Sequence, residues 1–170
     1  MTAQIPESLH FQGEDLALCT NPLDSYFSLG GARPAFADTS TALWRGYIGR
    51  WDIVDGRLYL VDLMGTLKDG TPASLETVFP GYGQRVFAHW YTGTLRLPQG
   101  RRLKYVHMGY GSVHERDLLI DVARGVVTGT RWQQSGVAED DAGPLGWGVA
   151  AYTEFPVRGR PEGPRGGDGS

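Results

Sequence analysis

The stretch RWDIVDGRLYLVDL, residues 50–63, decides the fold. Asp55-Gly56 stands between two β-prone runs, and glycine there accepts a positive φ without a Cβ clash. This predicts a hairpin with strands near 43–54 and 57–64. In the first strand Tyr47, Trp51 and Ile53 share one face, with Arg50 and Asp52 on the other. The run from Leu58 to Leu63 is apolar on both faces, which predicts a central strand covered on both sides.

Working outward, TGTLRLPQGRRLKYVHM carries alternating Leu95 and Leu97, then Pro98-Gln99-Gly100, then Leu103, Tyr105 and His107 on one face. It is expected to be a second hairpin turning at Pro98-Gln99-Gly100. A third is expected in LLIDVARGVVTGT, with Leu118, Ile120 and Val122 on one face and Arg124-Gly125 as the turn. One segment reads as helical: in TPASLETVF, Thr71 is placed to cap, Pro72 fits the first helical position, and Pro80 ends the helix. Turn signals recur at 30–31, 55–56, 69–70, 98–100, 109–111 and 123–125. That rhythm predicts a mainly β fold: an antiparallel meander forming a barrel or curled sheet, with one or two short helices. Residues 1–156 are expected to form a single domain. Residues 134–148 read as a loop with an acidic tip, and 157–170, rich in Gly, Pro and Arg, as a disordered tail.

With 170 residues the chain buries enough surface to fold without a staple. Its net charge of −3 speaks against general nucleic-acid binding, which needs a basic footprint. The single cysteine, Cys19, excludes an internal disulfide and a cysteine-based zinc site, and reads as a small buried apolar residue. The first 16 residues, MTAQIPESLHFQGEDL, have neither the basic region nor the apolar core of a signal peptide. No apolar run approaches the about 18 residues of a membrane span. The cytoplasm is the expected compartment. No phosphate-binding loop, dinucleotide fingerprint, nucleophile elbow or zinc-binding helix motif is present. The histidines, His10, His89, His107 and His114, are scattered, and neither a metal nor a cofactor is expected.

Three clusters remain. In HMGYGSVHERD, His107, His114 and Glu115 flank a Gly-Tyr-Gly turn, and a histidine beside a carboxylate can act as acid or base near neutral pH. The plainer reading is a tight connection followed by a charged, solvated strand edge. In TSTALWRGYIGRW, Gly46 and Gly49 allow close approach, and Arg45 and Arg50, with Tyr110 from the first cluster, are candidates to line a ligand pocket. The plainer reading is a glycine-kinked strand with its aromatics in the core. In VFPGYGQRVFAHWYTG, Tyr82, Arg85 and Trp90 suit a protein interface, where aromatic and Arg anchors dominate. Here too the side chains have a simpler use, sealing one end of the core.

Three strings, LWRGYIGRWDIVDGRLYLVDL, LETVFPGYGQRVFAHWYTGTLRLPQG and LKYVHMGYGSVHERDLLIDVARGVV, together resemble a family of small, largely uncharacterised bacterial proteins with WRGY, VFAxWxTGxLRxPQG and YVHMGYGS patterns. The resemblance covers about residues 43 to 127. Small acidic proteins of this sort often lie near toxin genes. The resemblance therefore implies a non-enzymatic protein-binding module of the immunity or antitoxin kind, masking the active site of a partner such as a toxin. It assigns no functional residue. The competing expectation is a small-ligand barrel or an enzyme with a His- and Arg-lined pocket.

Overall fold

The computed structural model describes residues 2–106 and 108–135 in full, and 153–156 as backbone. His107, residues 136–148 of the acidic loop, residues 149–152 and the 157–170 tail lie outside the described residues. The elements run β1 (Glu7–Phe11), β2 (Glu14–Leu18), α1 (Pro22–Ser28), β3 (Tyr47–Val54), β4 (Arg57–Thr66), β5 (Pro72–Ala73), α2 (Leu75–Val78), β6 (Val86–Phe87), β7 (Gly93–Lys104), β8 (Val113–Ala123), β9 (Val126–Gln134) and β10 (Thr153–Pro156). Among the described residues the fold is mainly β with two short helices, as the turn rhythm predicts. No described helix is long and apolar enough to cross a membrane.

The expected antiparallel meander, closed into a barrel or curled, is corrected. The order is β2-β1-β3-β4-β9-β8-β7, with β5 and β6 added on β4 and β10 on β9. The sheet is mixed, because β1 lies parallel to β3 through Ser8–Arg50, Leu9–Trp51 and His10–Asp52. It is neither closed nor strongly curled. Its end strands are β2 and β7, and among the described residues no ladder joins them. A backbone bond from Cys19 N–H, just past β2, to Arg96 O in β7 bridges them at one point, 2.8 Å long.

Two of the three expected hairpins form. Asp55 and Gly56 both take positive φ (51° and 72°), the geometry that matches the right-handed strand twist. Arg124 and Gly125 repeat it between β8 and β9 (48° and 82°). The first strand starts at Tyr47 rather than 43, since Leu43 and Gly46 close a turn through Gly46 N–H to Leu43 O. β4 is central, but only one face is sealed: Leu58, Leu60 and Leu63 are buried, while Tyr59 is half-buried and Met64 exposed. The second hairpin is corrected outright. β7 runs straight through Pro98-Gln99-Gly100, pairing with β8 from Gly93–Val122 to Lys104–Val113. Two irregularities in register after Gln99 absorb the irregular residues. An edge strand tolerates proline, and a bulge uses a glycine at positive φ without reversing the chain.

The helix at 71–79 is also corrected. Pro72–Ala73 pairs with β4, and α2 starts after Ser74, whose side chain and that of Thr77 form a reciprocal capping box. α1 was not anticipated; Pro22 opens it in the position proline suits best. The core lies on one face of the sheet. Leu9, Tyr47, Trp51, Leu58, Leu60, Leu95 and Ile120 are sealed there, with Leu23 of α1 against them.

Candidate functional site

A set of hydrogen bonds gathers around the N-terminal strap, residues 2–6. Gln4 N–H donates to Gly109 O (2.9 Å) and Ile5 N–H to Ala42 O (2.8 Å). Gln4 Oε1 accepts from Trp44 N–H, and its Nε2 donates to Thr41 O. The strap thus stitches the 41–45 loop to the 106–112 turn. Sequence reasoning passed over it, because short polar stretches carry no periodic signal.

Two arginines organise this end. Arg45, in the loop before β3, is buried and donates from Nη2 to Glu7 Oε2 at 2.9 Å. Glu7 opens β1 and is 1% exposed. It also accepts from Gly49 N–H, and its other oxygen lies 3.4 Å from Trp51 Nε1. Burial pushes its carboxyl up to about 7, against the opposing pull of Arg45 and the hydrogen bonds. A Cβ on Gly49 would stand 2.7 Å from Glu7 Oε1 and 2.8 Å from Trp51 Nε1. The close approach expected of this glycine is real, and what approaches is a buried carboxylate.

Arg96 on β7 is the second organiser, also missed in the sequence. Its Nε donates to Asp117 Oδ2 (3.1 Å), Nη1 to Tyr110 O (2.7 Å) and Nη2 to Ser112 O (2.9 Å). The Gly-Tyr-Gly turn is therefore fastened to the sheet by one guanidinium. Tyr110 inserts its hydroxyl to donate to Asn21 Oδ1 at 2.6 Å, and burial pushes its phenol up to about 12.

Between strap and turn lies a cavity of about 240 Å³, lined among others by Pro6, Cys19, Arg102, Tyr105, Tyr110 and His114. Burial lowers the His114 pKa, with Asp117 opposing and Arg96 and Arg102 adding to the shift. Its Nδ1 is buried without a hydrogen-bond partner among the described residues. Cys19 is partly buried, and burial raises its pKa. Large apolar side chains stand exposed around the strap: Ile5, Trp44, Tyr105 and Met108.

The sequence candidates are thus divided. Tyr110 and His114 meet at the cavity; Glu115 follows His114 on β8, so the two point to opposite faces, and no hydrogen bond joins them among the described residues. His107 lies outside the described residues. Arg45 is buried while Arg50 is exposed on β3, so the two do not clamp one ligand. Tyr82 is 63% exposed at the rim of the aromatic cluster. Arg85 lies 4.3 Å from the Tyr59 ring centre. Trp90 stacks on Phe79 (5.5 Å) and donates to Pro22 O, tying α1 to the core.

Compared with family models, with curated proteins and with solved structures, the chain finds no match.

Proposed function

We propose that the protein is a non-catalytic protein-binding module whose partner seats on the strap end. The observation that carries this is that Ile5, Trp44, Tyr105 and Met108 stand exposed on the strap and on the segments next to it, with a small cavity lined by Tyr105 between strap and turn. Clustered exposed apolar side chains edged by polar groups mark interaction surfaces. A cavity of about 240 Å³ falls short of the roughly 300–1,000 Å³ typical of small-molecule pockets, but suits one anchoring side chain of a partner. The separation of His114 from Glu115 weighs against an acid–base pair. Together with the family resemblance, this supports an immunity- or antitoxin-like role in the cytoplasm, masking a partner such as a toxin. Tyr82 and Arg85, both exposed, offer a second contact region.

The test is paired affinity capture with tagged wild type and a Trp44→Ser, Met108→Ser variant of matched melting temperature. A stoichiometric protein kept by the wild type and lost by the variant is expected. A metabolite that raises Tm by several degrees, with no protein retained, defeats the proposal in favour of a ligand-binding or enzymatic role.

A further inference from the structure

The cavity beside the strap lies where the two end strands part. β2 and β7 meet through Cys19 N–H and Arg96 O at 2.8 Å. Two residues further along β7 stands Pro98, which has no N–H to extend that pairing to Ala17. Among the described residues no ladder joins the two strands. The cavity of about 240 Å³ has Ala17 from one strand and Pro98 from the other in its walls, with Ala3 and Pro6 of the strap.

The polar groups around this space are mostly engaged elsewhere. The Gln4 side-chain amide is held by Thr41 O and Trp44 N–H. Ser112 Oγ accepts from Val106 N–H at 3.0 Å, and the Tyr110 hydroxyl donates to Asn21 Oδ1. The unpartnered His114 Nδ1 is sealed, so it offers the cavity no hydrogen bond. A guest therefore meets small apolar side chains, the rings of Tyr105 and Tyr110, and the Arg102 guanidinium, which lies 4.7 Å from the Tyr105 ring centre. An apolar cavity of roughly 150 Å³ is enough for benzene, so this one has room for an aromatic side chain. An aromatic ring gains from ring walls and a nearby cation what an aliphatic chain of similar size does not.

We propose that the cavity is a socket for one aromatic side chain of the partner, seated against Pro98, Tyr105 and Tyr110 with Arg102 beside it. The inference rests on the partner-binding reading and narrows it to a partner that presents an aromatic residue to the strap end.

The test uses the whole chain and three probes: N-acetyl-phenylalaninamide, N-acetyl-leucinamide and N-acetyl-glutaminamide, titrated while the amides of Ala17, Arg102, Gly109 and Ser112 are followed by NMR. The phenylalanine probe should give saturable shifts with a Kd on the order of millimolar. The leucine probe should bind about threefold more weakly, and the glutamine probe should give no saturable shift. Ala17 is exposed on an edge strand, so it can be enlarged without disturbing the core. Ala17→Phe fills the socket and should weaken the phenylalanine probe at least about tenfold, while Ala17→Ser leaves binding intact. No shift with the phenylalanine probe, equal binding of the leucine or glutamine probe, or undiminished binding in A17F overturns the socket. Affinity capture separates this from the partner-binding reading. A protein retained equally by wild type and A17F overturns the socket and leaves the partner seat standing. Phenylalanine-probe binding with no protein retained supports an aromatic socket and overturns the partner.

Discussion

Arg96 and Arg45 both hold a carboxylate at the same end of the sheet, and they do opposite things. The Arg96–Asp117 pair is partly open, with side chains 26% and 11% exposed, and Arg96 spends Nε, Nη1 and Nη2 on three fixed acceptors. The Arg45–Glu7 pair is sealed, at 5% and 0%, yet Arg45 uses only Nη2. A saturated guanidinium is a fastener that sets loop geometry. A sealed, half-used one is a buried charge whose carboxylate partner is held by the Gly49 amide and the Trp51 indole.

The contrast breaks most visibly at Glu7. Glu7→Ala strands a buried guanidinium and should cost about 3–5 kcal/mol in urea denaturation. A loss below about 1 kcal/mol would mean that Arg45 reaches water. Gly49→Ala should follow, at roughly 1–3 kcal/mol, because its methyl must displace Glu7 Oε1 or the Trp51 indole. Arg96→Lys keeps the charge but loses the fork. It should cost about 1–2 kcal/mol and speed amide exchange at residues 108–112, while leaving the Arg45 environment untouched. If exchange at the turn does not change, Arg96 is not its fastener.

The pH dependence separates the groups further, because the sign differs between them. The Glu7 carboxyl is raised from 4.5 to about 7, so the folded state binds this proton more tightly than the unfolded chain. Its contribution to stability is greatest below 4.5 and declines as pH climbs to about 7. His114 is lowered from 6.5 by burial, so its contribution is lost as pH falls below 6.5. Glu7→Gln should therefore remove a downward slope of stability with pH, and His114→Asn an upward one. Denaturation midpoints between pH 4 and 8 distinguish them; equal slopes in all three proteins would refute both assignments.

Legibility followed how local each instruction was. Asp55-Gly56 and Arg124-Gly125 were readable because positive φ at a two-residue loop is a property of the residues themselves. The Leu118, Ile120, Val122 face was readable from its period of two. Pro98-Gln99-Gly100 misled, since the same residues serve a bulged edge strand as well as a turn, and only the partner strand β8 selects between them. α1 and the strap fell below notice for lack of length. At the candidate site, Tyr110 and His114 were legible as chemistry-bearing residues beside flexible glycines. Arg96 was not, because in LRLPQ it looks like any outward residue of an alternating strand.

The sequence by itself determined that the chain is mainly β, where two hairpins turn, and which face of β8 is apolar. These depend on backbone sterics and side-chain period, which act over a few residues. The tertiary structure alone decided that β1 lies parallel to β3, that Glu7 meets an arginine 38 positions away, and that one arginine is saturated while the other is not. Such pairings are set by which strands become neighbours. Neighbourhood follows from burying the whole core at once, a collective property that no short stretch of sequence contains.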